Sequence, residues 1–163
     1  MLLRDEVLQM ISSGKRRLGI EDVAFEVRYA EKTGKIGKRA EIFIWSNDRA
    51  EIVLYGGATL FSVRHELCHV KLFRIGLPLT NTERDLELFP DSDDYMRMVV
   101  IVEWYINELQ KRVFHEYYAI DEAGTPRPPP FQGLPELPKD KFTAKQIERI
   151  IKIARGKDEG SNS

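Results

Sequence analysis

A five-residue segment, His65-Glu66-Leu67-Cys68-His69, constrains this chain of 163 residues more than any other feature of its sequence. On an α-helix, histidines four residues apart differ by about 40° around the axis, so both side chains project from one face. Both imidazoles can then reach one zinc ion at about 2 Å. Glu66 is rotated by about 100° from His65, so its carboxylate can accept a proton from water beside the metal without being a ligand. The segment therefore predicts a zinc site on a helix.

The residues on either side of this segment favour the helix that the zinc site requires. Apolar side chains recur at helical spacing, at Leu60, Val63, Leu67, Val70 and Phe73. Gly57 and Thr59 suit the entrance of such a helix, and Gly76 followed by Pro78 suits its end. The chain has three histidines, and two of them form this motif. The alternatives are a structural zinc ion and two surface histidines on an ordinary amphipathic helix.

Composition limits the classes of partner and the cellular location. The chain has 25 Lys and Arg against 26 Asp and Glu, so we expect no binding to nucleic acid or to an anionic membrane surface. The single cysteine excludes an internal disulfide framework and favours a reducing, cytoplasmic location. Glu103 interrupts the most apolar run, Met98 to Ile106, which is too short for a bilayer, so we expect no membrane span.

The part of the chain before the histidine helix predicts a short helix and three strands. The helix covers Leu2–Ile11 and ends at Ser12-Ser13-Gly14. Side chains alternate over Val23–Ala30 and Ala40–Trp45, and Glu51–Tyr55 gives the third strand. We therefore expect an α+β domain in which a small, mostly antiparallel sheet of three or slightly more strands packs on the histidine helix and a second helix. The third strand is either an interior strand or an edge to which an extended substrate could add.

The second helix supplies the candidates for a third zinc ligand. It is predicted over Asp94–Tyr118, because neither Gly nor Pro interrupts it. Glu103 is the best candidate, since a lone carboxylate in an apolar helix would be costly without a cation. Glu108 is the second choice, and His115 is a further candidate, although it lies about 120° around the helix from Glu103. Asn107, one turn beyond Glu103, could hydrogen-bond a ligand histidine.

The chain resembles the gluzincin metallopeptidases in the segments His65–His69 and Glu103–Asn107. In these proteins a second helix brings a glutamate ligand, with an acidic or amide residue four positions later. The short interval and the small size are most similar to the minigluzincins, soluble archaeal proteins regarded as minimal catalytic domains of membrane metallopeptidases. The resemblance covers about residues 40–114. It implies an endopeptidase that acts on a peptide or protein, with zinc held by both histidines and Glu103, and with Glu66 as the general base.

Two other interpretations stay open beside this one. Regulator-cleaving zinc proteases of the ImmA/IrrE type also carry Asn at this offset, but they normally sit beside a helix-turn-helix module, which the sequence does not indicate. A non-catalytic, zinc-stabilised interaction module is the second alternative.

Candidates for an oxyanion stabiliser are Tyr117, Tyr118 and His115. Cys68 is expected to be a small core residue, and the alternative is a thiolate that blocks the zinc.

The end of the chain differs in composition from the rest. We divide the sequence into a compact zincin domain (1–123), a proline-rich extended segment (124–142), a C-terminal helix (143–156) and a disordered tail (157–163). Apolar residues of the extended segment are spaced to fill pockets: Phe131, Leu134 and Leu137. One expectation is a latent peptidase whose cleft this segment occupies, as in the minigluzincins. The others are a linker to a packed helix and a contact in a homo-oligomer.

Overall fold

The computed structural model describes residues 2–31, 38–79, 83–114, 145–146 and 148–153. Over this part of the chain the elements are α1 (Arg4–Leu18), β1 (Ala24–Tyr29), β2 (Ala40–Ser46), β3 (Arg49–Leu54), α2 (Leu60–Arg74), α3 (Glu83–Leu88) and α4 (Ser92–Val113). Residues 145–146 and 148–153 are also helical, within the C-terminal helix that the sequence predicts. The predicted α+β class is confirmed. The proline-rich segment and the tail after residue 156 lie outside the described residues.

The three strands form one sheet in the order β1-β3-β2. A two-residue turn joins β2 to β3, and these strands pair antiparallel, whereas β1 pairs with β3 in parallel. The sheet is therefore mixed and not mostly antiparallel as expected. Strands β1 and β3 run in one direction and β2 runs in the opposite direction. Because β3 lies between β1 and β2, the two strands of the same direction, β1 and β3, are neighbours. Among the described residues, the third predicted strand is thus interior, and β1 and β2 are the edges.

Helix α1 extends further than its sequence predicts. The predicted end at Gly14 lies inside the helix, and a Cβ atom at that position would be 2.5 Å from Leu67 Cδ1 and 3.3 Å from Phe114 Cζ. The glycine therefore allows a close approach of α1 to α2. The helix ends instead at Gly19, which adopts a φ of 67°, and the Ile20 amide donates to the Lys15 carbonyl at 2.9 Å.

Two compact units divide the described residues, and α2 and α4 contribute residues to both. The first unit contains α1, the sheet, α2 as far as Lys71, and residues 110–114. Its core is apolar and includes Val7, Ile52, Val63 and Leu67, all fully buried. The second unit contains residues 72–109 together with residues 145–146 and 148–153. Its core includes the fully buried Leu72, Met98, Ile101 and Ile150.

Helix α4 starts where the acidic cluster of the sequence predicts a helix start. Asp91 caps it, because its Oδ1 accepts a hydrogen bond from the Asp94 amide at 3.0 Å and its carbonyl accepts one from the Tyr95 amide at 2.9 Å. The predicted continuation over residues 115–118 lies outside the described residues. None of the helices in the described part of the chain combines the length and the apolar character needed to cross a membrane.

Candidate metal centre

Local sequence signals define both ends of α2, the helix that carries the two histidines. At its start, Gly57 has a φ of 87°, and Thr59 and Ser62 cap the helix reciprocally. The Thr59 amide donates to Ser62 Oγ at 3.2 Å, and the Ser62 amide donates to Thr59 Oγ1 at 3.4 Å. At its end, Gly76 has a φ of 106°, and the Leu77 amide donates to the Leu72 carbonyl at 3.0 Å. The predicted entry and end residues of this helix are therefore confirmed.

The two histidines point their Nε2 atoms towards a common position. These atoms of His65 and His69 lie 3.2 Å apart, and the ring centroids lie 5.0 Å apart. Two nitrogens bound to one tetrahedral zinc ion at its usual bond length would be about 3.3 Å apart. His69 is buried and His65 is partly exposed. The pair thus has the spacing of two ligands of one metal ion.

Glu103 of α4 completes a group of three metal-binding side chains. His65, His69 and Glu103 each offer one ligand atom, and these atoms all lie within 4.8 Å of one another. The structure therefore brings together the three ligands that the sequence nominates, and this group could bind a metal ion. Two neutral imidazoles and one carboxylate form a donor set that fits zinc, and three protein ligands leave a fourth position for water or substrate.

Glu66 follows His65 directly on α2 and is not one of the three group members. Its side chain is buried, at 8% exposure. A carboxylate in that position is shielded from bulk water, yet it belongs to the same helical turn as the first histidine. Its role as general base stays a prediction.

The other residues that the sequence nominates for the metal centre lie outside the group of three ligands or outside the described residues. Asn107 is exposed on α4, and its hydrogen bond to a ligand histidine stays a prediction. Glu108 is partly exposed and does not belong to the group found within the described residues. His115, Tyr117 and Tyr118 lie outside the described residues.

Cys68 occupies the core position that the sequence predicts. Its side chain is fully buried, and this burial raises the pKa of the Cys68 thiol. A raised pKa favours the neutral thiol over the thiolate that would ligate a metal. The structure therefore supports a packing role for this residue.

A hydrogen bond between α4 and α2 close to the histidines was not predicted from the sequence. Gln110 is almost fully buried, and its Nε2 donates a hydrogen bond to the Phe61 carbonyl at 3.3 Å. The Phe61 ring lies 6.4 Å from the His65 ring, and the buried Arg64 guanidinium lies 5.9 Å from the Phe61 ring centroid and 6.0 Å from that of Phe114. The available signal was a glutamine within the apolar stripe of α4.

Comparison with known proteins yields no relative for this chain. No protein-family model, curated protein or solved structure matches it. The chemical interpretation therefore depends on the donor atoms of His65, His69 and Glu103 and on their neighbours in the two helices.

Proposed function

We propose that this chain is a zinc-dependent endopeptidase of the gluzincin type. The observation that supports it most directly is the group formed by His65, His69 and Glu103, whose ligand atoms lie within 4.8 Å of one another. A buried carboxylate, Glu66, stands next to the first of these residues in the sequence. We also propose a cytoplasmic location, because a chain with one cysteine forms no internal disulfide and therefore suits a reducing compartment.

The three ligands have separate tasks in this proposal. His65 and His69 supply neutral nitrogens from one face of α2, and Glu103 supplies a negative oxygen from α4. The carboxylate partly neutralises a divalent cation and adds a hard oxygen donor to the two imidazoles. When bound, the zinc ion acts as a Lewis acid that polarises the scissile carbonyl and lowers the pKa of water.

Glu66 performs the proton transfers of the hydrolysis. Its carboxylate removes a proton from the attacking water as the water oxygen forms a bond to the carbonyl carbon. The same carboxyl group then delivers that proton to the leaving amide nitrogen as the carbon–nitrogen bond breaks. The products are a carboxylic acid and an amine, and Glu66 returns to its ionised form. Its low exposure limits competing proton exchange with bulk water.

The decisive experiment separates metal binding from hydrolysis. We expect Glu66→Gln to keep the wild-type zinc content while hydrolysis falls by about 100-fold or more, because the amide holds the position but cannot accept the proton. Zinc is measured by mass spectrometry, and hydrolysis is measured on casein and on a quenched fluorescent peptide library. Glu108→Gln is the matched control, since it makes the same chemical change on a carboxylate outside the group.

The outcome also decides between an enzyme and a structural module. A Glu66→Gln variant that hydrolyses peptides at the wild-type rate would contradict the role of this carboxylate. A wild-type chain that holds one zinc ion but cleaves none of the peptides would favour the zinc-stabilised interaction module or the latent peptidase over an active enzyme.

A further inference from the structure

Gln110 is a polar side chain in a place where the chain otherwise uses apolar ones. It is 1% exposed, and its neighbours on the same stretch of α4, Leu109 and Val113, are buried apolar residues. Its Nε2 donates to the Phe61 carbonyl, while its Oε1 is buried without a hydrogen-bond partner among the described residues. The amide must be oriented this way, because the opposite orientation would place two acceptor oxygens against each other.

A buried glutamine at this position is less favourable for stability than an apolar side chain of similar size would be. A buried acceptor without a partner loses the hydrogen bond that it would make to water, whereas a methionine of similar length would lose nothing. In paired helices, a single buried polar residue can specify the register of the two helices at a cost in stability. The observed bond therefore points to a positional role of Gln110 and not to a stabilising one.

The positions of the bonded atoms relate this contact to the metal ligands. Gln110 follows Glu103 by seven residues, so the two side chains share one face of α4 and stand about 10 Å apart along its axis. On α2, Phe61 precedes the midpoint of the two histidines by six residues, which is about 9 Å. Its carbonyl is also the helical acceptor for the His65 amide. The interval of about 10 Å between Glu103 and Gln110 on α4 therefore matches the interval of about 9 Å between the histidines and Phe61 on α2. The match requires α2 and α4 to run in opposite directions, because Gln110 follows Glu103 whereas Phe61 precedes the histidines.

We propose that Gln110 is a positioning residue of the metal centre. Its hydrogen bond to the Phe61 carbonyl fixes the register of α4 along α2, so that Glu103 lies level with His65 and His69. A slip by one residue would move Glu103 by about 1.5 Å, which exceeds the tolerance of about 0.2 Å for metal–ligand bonds. The inference rests on the metal centre of the proposed function but does not require that the protein hydrolyse peptides.

The test uses the full-length chain with Gln110→Met, which removes the donor and keeps the length of the side chain. We expect the unfolding temperature of the metal-free variant to equal or exceed that of the wild type, because the unsatisfied acceptor is gone. We expect the affinity for Zn²⁺ to fall by about 10- to 100-fold, and the visible spectrum of the Co²⁺-loaded variant to change, because the third ligand is displaced. Chelator competition, thermal unfolding and absorption spectroscopy provide the three measurements.

Leu109→Ala is the matched control, because it loosens the same turn of α4 without changing the hydrogen bond. It should lower the unfolding temperature and keep the wild-type Zn²⁺ affinity and Co²⁺ spectrum. If Gln110→Met loses no more affinity than this control, or keeps the wild-type spectrum, the positional role is refuted. Gln110→Leu replaces it if the methionine variant does not fold. A wild-type chain that binds neither metal would refute the centre itself, whereas metal binding without hydrolysis would refute only the peptidase.

Discussion

Helices α2 and α4 both contribute to the candidate metal centre, but their surroundings differ. In α2, every residue from Ser62 to Val70 is buried except His65. In α4, one face is open, since Met96 is 58% exposed, Val100 is 50% exposed and Asn107 is exposed. Glu103 is partly exposed and lies at the edge of the arc of about 60° that contains these three residues.

This contrast separates two kinds of ligand. His69 of α2 is buried in the core and also belongs to the centre, so its replacement should affect folding as well as metal binding. Glu103 of α4 is partly exposed, so its replacement should affect folding much less than metal binding. Each of the following changes tests this difference, in order of decreasing effect.

The largest effect should come from the ligands themselves. We expect His69→Ala and Glu103→Gln both to abolish stoichiometric zinc binding, because each leaves only two protein ligands. Their metal-free forms should differ: His69→Ala should lose about 1–3 kcal/mol of unfolding free energy because the buried ring is removed, and Glu103→Gln should stay within about 0.5 kcal/mol. Zinc content and urea unfolding in EDTA check both statements. Equal losses of stability would show that the two helices do not differ in this way.

The next effect concerns packing without metal chemistry. Leu67 on α2 is fully buried, and we expect Leu67→Ala to destabilise the chain by about 2–5 kcal/mol through the cavity that it leaves. Val100→Ala, which shortens an exposed side chain of α4, is the control and should change the free energy of unfolding by less than about 0.5 kcal/mol. Urea unfolding measures both. A loss above about 2 kcal/mol for Val100→Ala would mean that the open face is covered in solution.

The smallest effect concerns an ion pair at the start of α4. Arg149 Nε and Nη2 donate to Asp94 Oδ1 and Oδ2 at 3.1 and 2.8 Å, and these bonds lower the pKa of the Asp94 carboxyl. A lowered folded-state pKa gives a contribution that is complete above the ordinary value of about 3.9 and is lost as pH falls through the lowered one. Amide exchange of residues 148–153 should therefore accelerate slightly only below about pH 4.

Asp94→Asn is the control for this acid effect. The asparagine cannot titrate, so exchange of residues 148–153 in this variant should lose its dependence on pH in the acid range after correction for intrinsic exchange rates. The effect should be small, because the Arg149 side chain is 61% exposed and is screened by solvent. An acid transition that persists in Asp94→Asn would assign it to another carboxyl group.

The parts of the fold that the sequence predicts correctly are those that depend on residues close to one another in the sequence. Thr59 and Gly76 mark the ends of α2 because capping and left-handed backbone are local requirements. Glu103 could be nominated because a lone charge in an apolar helix needs a partner, whatever that partner is. Alternation predicts β1 and β2, and these strands together with the helical spacing of α2 predict the α+β class.

The parts that sequence could not predict depend on distant neighbours. Gly14 suggests a helix end on propensity, but the side chain of Leu67 from another helix explains its presence inside α1. The place of β3 between its predecessors, and the contact of Gln110 with the Phe61 carbonyl, are equally properties of tertiary structure. Alternation and spacing describe one segment at a time and carry no information about which segments meet.

The strand order also has a consequence for chain entropy. Closing β2 on β3 requires only the two-residue turn of Asn47 and Asp48, whereas closing β1 on β3 encloses residues 30–48. The conformational entropy lost on closing a loop grows with the number of residues in the loop. Pairing β2 with β3 therefore loses less entropy than pairing β1 with β3. Since α2 follows β3 after a short turn, the histidine helix is attached to the half of the sheet that the chain can form at the lower entropic cost.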